Sequence, residues 1–246
     1  AATAIYGVGS QINQYYMALS TSISGVFTPQ INRIVARGEG DEQLTKLFTR
    51  VGRIQFMLLM LVLTGFVFVG EPFICAWGGE EYGAAYWIAL LLIAPVTVPL
   101  IQNIGIEIQR AKNMHQFRSK VYFCMAIGNA LVSIPLGMKF GGIGCALGTA
   151  ISMVVGNGFI MNWYYQTHIG LDMRYFWKHI LSIVPAMLPA VALGIIAVRL
   201  HTFTGYAGVV TFAVPYAAVY AVGLYLFAMD ESEKNMVRGV MRKIRR

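Results

Sequence analysis

Residues 50–83 read RVGRIQFMLLMLVLTGFVFVGEPFICAWGGEEYG. Arg50 and Arg53 stand at one end, an apolar run fills 54–75, and Glu80 and Glu81 stand at the other end. A helix that crosses a bilayer needs about 20 mostly apolar residues, and this run is long enough. Bases on one flank and none on the other give it a direction, because Lys and Arg accumulate on the cytoplasmic side of membrane proteins.

The same pattern extends outward. Stretches 5–29, 84–107, 121–138, 143–165, 180–198 and 206–229 are also long and apolar, which makes seven expected transmembrane helices with 54–75. They are too long and too uniformly apolar for alternating strands of about ten residues in a barrel. The intervening segments alternate in charge. Seventeen of the 19 Lys and Arg residues fall in 30–53, 108–120, 166–179 and the tail after 229, while Lys139 and Arg199 are alone on the opposite side. The sequence therefore predicts an all-α, polytopic membrane helix bundle. Its first span runs from outside to inside, and its C-terminus is cytoplasmic.

Composition agrees. The 246 residues are 57% hydrophobic and 12% charged, with a mean hydropathy of +0.61. A soluble domain carries about 25% charged residues. The net charge of +8 follows from the positive-inside bias, and no aromatic-basic module for nucleic acid is present. Cys75, Cys124 and Cys145 are isolated, so neither a zinc site nor a disulfide framework is indicated and small buried hydrophobes are expected. No Walker A, G-x-S-x-G or H-E-x-x-H motif occurs. No enzyme, cofactor or metal is expected. The chain opens Ala1-Ala2-Thr3 without Met, which reads as a fragment of a longer protein.

Local signals refine the helices. Asp41 follows Gly38 and Gly40 as a candidate cap. Leu44, Leu47, Phe48 and Val51 share one face of an amphipathic lead-in to the second span. Gly144, Gly148, Ser152 and Gly156, each four apart, form a small-residue ladder that lets a neighbouring helix approach closely. Trp163, Tyr164, Tyr165, Tyr175 and Trp177 are placed to anchor at the headgroup level.

Polar groups inside apolar helices are the candidate site. In the first span Gln11, Gln14, Tyr15, Ala18 and Ser22 share a face. Two readings are open: a cavity wall that hydrogen-bonds sugar hydroxyls, or glue between helices. In the third span Pro95 and Pro99 should loosen the helix, followed by Gln102, Asn103 and Glu107. Glu107 is either an ion-coupling carboxylate or an interfacial one beside Arg110, and its closeness to the inner boundary favours the latter. Arg33 and Arg37 follow Pro29 and suit phosphate oxygens, or are ordinary positive-inside residues.

Several stretches in order resemble the polysaccharide and O-antigen flippases of the multidrug/oligosaccharidyl-lipid/polysaccharide exporter superfamily. They are Ile5–Ile12 with Tyr6-Gly7 and Gln11, Pro29-Gln30-Ile31, Gly40-Asp41, Phe73-Ile74 with Trp77-Gly78 and Tyr82, and Gly141–Ala150. The resemblance covers residues 5–177. It implies the C-terminal part of a two-bundle transporter fold: a bundle over 1–177, two additional spans over 178–229 and a basic cytoplasmic tail over 230–246. It further implies that the chain lacks an N-terminal bundle and corresponds to spans eight to fourteen of a fourteen-span parent. The resemblance also implies the cell inner membrane as the location. The implied cargo is an undecaprenyl-pyrophosphate-linked oligosaccharide moved by alternating access. The implied partners are this lipid-linked oligosaccharide, the lipid bilayer, the missing bundle and glycan polymerase machinery. A cation-coupled multidrug exporter of the same superfamily is the alternative; it predicts a more apolar cavity. A membrane-embedded glycan-assembly enzyme is the third reading, and the outer loops are too short to offer it much.

Overall fold

A computed structural model describes residues 2–231, 233–235 and 238–239. Among these residues the protein is helical throughout, without strands. Most of the expected basic tail, including Arg242, Lys243, Arg245 and Arg246, lies outside the described residues.

Helix α1 spans Ala2–Ser24, and a 3-10 turn at Gly25–Phe27 leads to α2, Thr28–Arg37. Pro29 sits in the first turn of α2, where its missing N–H is not needed. Gly38, at φ 63°, ends that helix with the paired bonds of a Schellman motif, Gly38 N–H to Val35 O and Glu39 N–H to Ile34 O. Helix α3, Asp41–Gly78, joins the lead-in and the second span into one rod of 38 residues. Leu44, Leu47, Phe48 and Val51 are all buried, as their spacing predicts. Asp41 makes no cap; it is the first helical residue, and its carboxylate pairs with Lys112.

Helices α4 (Ala85–Ile101) and α5 (Ile104–Ala111) meet at a bend of 41°. The expected loosening is displaced from the prolines. α4 stays helical through Pro95 and Pro99, and the break comes at Gln102–Asn103, where bonds shorten to i→i−3. Helix α6 starts at Gln116 and runs to Met153, but Gly141 inside it has φ 61° and ψ −139°. The chain reverses there. Tyr122 meets Asn157, Asn129 meets Thr149, and Ser133 meets Cys145, so residues 116–140 and the chain after 141 lie antiparallel as two arms. The glycine ladder closes this hairpin. A Cβ on Gly144 would collide with the Leu136 carbonyl, and one on Gly148 would come within 2.8 Å of Ser133 Cα.

The second arm continues as π-helix (Val154–Met161), a three-residue α-helix α7 (Asn162–Tyr164) and π-helix again (Tyr165–Ile169). Then come α8 (Met173–Leu181), α9 (Val184–Leu200) and α10 (Gly205–Phe227). Asp172 caps α8 by accepting from Tyr175 N–H at 2.9 Å. Tyr164 and Tyr165 are not interfacial anchors. Both are buried, Tyr164 stacked on Phe117 at 4.0 Å and Tyr165 against Phe48 at 5.7 Å. Cys124 is exposed and not buried; Cys75 and Cys145 are half-buried.

Among the described residues four helical segments are long and apolar enough to cross a membrane: Asp41–Gly78, Gln116–Ile169, Met173–Leu200 and Gly205–Phe227. The bent pair α4–α5 makes a fifth if it is one span. α1 is long enough but too polar to join them. Packing gathers the basic segments at one end. There Lys112 bonds Asp41 and Ile169 O, and Arg53 bonds His179 O and Ala228 O. At the other end Gly9 abuts Ile88, and Gly142 lies against Tyr6 and Ile88.

Candidate functional site

Two opposite faces of α1 behave differently. With about 100° per residue, Tyr16, Ser20 and Ser24 fall on one side and Gln11, Gln14, Tyr15, Ala18 and Ser22 on the other. The first set is welded into the bundle. Tyr16, 2% exposed, donates to Leu59 O at 3.2 Å and shares a bond of 2.8 Å with Thr97 Oγ1. Ser20 donates to Leu100 O at 2.9 Å. Gln55 Nε2 reaches Ser20 O, Ser20 Oγ and Ser24 Oγ at 3.1, 3.0 and 2.7 Å. This is glue between α1, α3 and α4. It works because hydrocarbon offers a polar side chain no other partner.

The second set has no partner outside α1 among the described residues. Tyr15 is 59% exposed, and Gln11, Gln14, Ala18 and Ser22 are exposed as well. Their bonds are local: Gln11 Nε2 to Tyr15 OH at 3.0 Å and Ser22 Oγ to Ala18 O at 2.8 Å. Beside Tyr15 an apolar cleft of about 510 Å³ opens between α1, α3 and α10, with Leu19, Phe66, Phe73 and Phe212 in its walls. Hydrogen bonds between helices are therefore made by the Tyr16, Ser20 and Ser24 side of α1, and not by the side carrying Gln11, Gln14, Tyr15 and Ser22. The glue residues Tyr16, Ser20 and Ser24, and their partners Gln55 and Thr97, were not separable by sequence from the rest of a polar helix. A lone Gln in the apolar run 54–75 was the available signal.

We expect Gln55→Leu to destabilise the fold only modestly. Hydrogen bonds between membrane helices contribute about 0.6 kcal/mol on average. Three of them are lost, but the Gln55 carbonyl, buried without a partner, is removed too. The net is about 1 kcal/mol, readable as a small fall in the thermal unfolding midpoint in detergent.

The remaining predicted residues lie at the basic end. Arg33 and Arg37 are exposed on α2, whose Ile31 and Ile34 face inward; Arg37 pairs with Glu39 at 3.5 Å. Glu107 is bonded to Arg110 at 2.7 Å. Asn103 is half-buried at the α4–α5 joint. Neighbouring Gln102 is buried and donates to Asn162 Oδ1 at 3.0 Å. Asn162 Oδ1 also accepts from Trp177 Nε1 at 2.7 Å, and Asn162 Nδ2 donates to Asn157 O at 2.8 Å. Asn157 in turn accepts from Tyr122 OH at 2.9 Å, and Tyr122 OH accepts from Arg118 at 2.6 Å. The polar face of α1 is not part of this network.

Arg53 is the least expected residue. Sequence counts it as a positive-inside charge, yet it is buried and forked onto Glu233, Nε–Oε1 at 2.8 Å and Nη2–Oε2 at 3.0 Å. The same guanidinium donates to His179 O at 2.9 Å and Ala228 O at 2.7 Å. Glu233 and Asp230 exchange backbone-to-carboxylate bonds of 2.9 and 2.8 Å, a capping box. Among the described residues no group of three or more His, Cys, Asp or Glu side chains is placed to hold a metal ion. No known protein family, curated protein or solved structure matches the chain.

Proposed function

We propose that the protein is a membrane transporter that flips a lipid-linked oligosaccharide, an undecaprenyl-pyrophosphate glycan unit, across the bacterial inner membrane by alternating access. The observation that carries this reading is the uncovered polar face of α1. Amides and hydroxyls at Gln11, Gln14, Tyr15 and Ser22 are exposed; with α1 taken as a span, they lie at a depth where contact with lipid tails is unfavourable. Such a face belongs against water or a second helical bundle. Amides and hydroxyls arranged along one line suit sugar hydroxyls, and the neighbouring apolar cleft suits an amphipathic cargo.

The seven-span topology is part of the proposal. It counts α1 as one span, α4–α5 as one and the hairpin arms as two, and it puts the basic end in the cytoplasm. Arg33 and Arg37 then meet the cargo pyrophosphate at the inner leaflet. Glu107 is bonded to Arg110, in keeping with the interfacial role that its closeness to the inner boundary favours over ion coupling.

The test is reconstitution in liposomes carrying an undecaprenyl-pyrophosphate oligosaccharide, with exposure of the glycan read by a membrane-impermeant oxidant. The triple variant Gln11→Leu, Gln14→Leu and Ser22→Leu should slow translocation about tenfold or more, the effect of removing a few hydrogen bonds to the moving cargo. Tyr16→Phe, on the glue face, should leave the rate within about twofold. If the unaltered protein moves no such lipid while a known flippase does in the same vesicles, the reading fails.

A further inference from the structure

Two irregular helices face one another at the basic end, and one amide pair joins them at the point where each changes register. On one side α4 gives way to α5 at Gln102–Asn103. There Asn103, Gly105 and Ile106 donate to carbonyls three residues back, at 3.2, 2.8 and 3.0 Å, and the axis turns by 41°. On the other side the second hairpin arm is π-helical over Val154–Met161 and Tyr165–Ile169, with only Asn162–Tyr164 in α register between. Gln102 is the first residue of the break, and Asn162 is the first residue of the α interlude. Their side-chain amides pair reciprocally, Gln102 Nε2 to Asn162 Oδ1 at 3.0 Å and Asn162 Nδ2 to Gln102 Oε1 at 3.5 Å.

A second contact lies one turn away. Gly105 is packed so closely on Tyr165 that an added Cβ would fall 2.6 Å from Tyr165 Cζ. Helices in π register are rare and short, and a return to α register moves each N–H from the carbonyl five residues back to the one four residues back. Such a shift would rotate Asn162 and Tyr165 relative to Gln102 and Gly105 and disturb both contacts.

The geometry points to a two-state hinge: Gln102 and Asn162 are positioning residues that lock the α4–α5 bend to the π register of residues 154–169, and breaking this pair straightens the joint. The far end of α5 then moves. Eight residues at about 1.5 Å each, swung through the bend, displace that end by about 8 Å. Helix α2 packs on α5 and travels with it. The tether at that end, Lys112 to Asp41 and Ile169 O, is partly exposed and can exchange with water. The motion does not depend on the transporter reading. Its use does: in a transporter, this hinge would carry the basic ends of α2 and α5 between two positions.

The test is a distance measurement between spin labels at Ala36→Cys on α2 and Lys178→Cys on α8. It is made in vesicles without cargo, in a background carrying Cys75→Ser, Cys124→Ser and Cys145→Ser. The unaltered joint should give one dominant distance. Asn162→Leu and Gln102→Leu should each add a second population, displaced by several ångströms and up to about 8 Å. The reciprocal exchange Gln102→Asn with Asn162→Gln keeps an amide pair and should return the single distance. Trp177→Phe removes the other bond to Asn162 Oδ1 and should change nothing. Distributions for both Leu variants that superimpose on the unaltered one would overturn the hinge, as would a Trp177→Phe shift as large as theirs. A failed flipping assay with these shifts present would count against the transporter reading alone.

Discussion

Arg53→Ala is expected to destabilise the protein by about 3 kcal/mol or more, the usual range for breaking one side of a buried ion pair. The variant leaves Glu233, 3% exposed, without its guanidinium, and strips the donors from His179 O and Ala228 O. Glu233→Ala should be milder, because Arg53 keeps both carbonyls. The double variant Arg53→Met with Glu233→Leu should recover at least half of the loss, since a buried pair is often replaceable by apolar side chains once neither charge is left alone. Thermal unfolding in detergent measures all three. A loss of about 3 kcal/mol corresponds to roughly 6–12 °C for a chain of this size. If Arg53→Ala unfolds with the native midpoint, the clamp between α3, α8, α10 and residue 233 is not formed in the protein.

Gly148→Ala is the second large effect. The hairpin arms touch backbone to backbone at this point: an added Cβ would lie 2.8 Å from Ser133 Cα and 2.9 Å from Ser133 N. Neither atom can move without shifting the first arm, so the hairpin must splay. Overpacking typically costs about 1–3 kcal/mol, and a clash with backbone belongs at the upper end. Gly156→Ala is the internal control. Its Cβ would meet Met125, whose flexible side chain can withdraw, so the loss should stay below about 1 kcal/mol. The order, Gly148→Ala well below Gly156→Ala in unfolding midpoint, is the checkable result. Equal midpoints would mean that the ladder does not seat the arms.

Much of this architecture was legible from the chain because lipid restricts what a backbone can do. Apolar runs had to be helices, and the ladder of Gly144, Gly148 and Gly156 had to be a contact. The lead-in from Leu44 to Val51 was equally plain from its period. The misreadings share a cause. Asp41, Tyr164, Tyr165 and Arg53 were assigned by what such residues usually do near a membrane surface, as a cap, as anchors or as a solvated charge. Each instead has a partner distant in sequence: Lys112, Phe117, Phe48 and Glu233. Spacing within one helix cannot reveal such pairs. The bend after Gln102 and the π register around Asn162 are equally tertiary, since the prolines at 95 and 99 alone point to the wrong place.

The candidate site was half legible. Sequence separated Gln11, Gln14, Tyr15 and Ser22 as one face of α1, and their exposure in the folded bundle is what distinguishes them from Tyr16, Ser20 and Ser24. Whether that exposed face meets water is the centre of the account. Single cysteines placed along residues 9–24 of α1, in the cysteine-free background and in native membranes, can be challenged with a membrane-impermeant maleimide. Positions 11, 14, 18 and 22 should label and positions 16, 20 and 24 should not, a helical period that only a water-lined face produces. Labelling confined to 16, 20 and 24, or absent along the whole helix, would place α1 against lipid or protein on its polar side and contradict the cavity on which the transporter proposal stands.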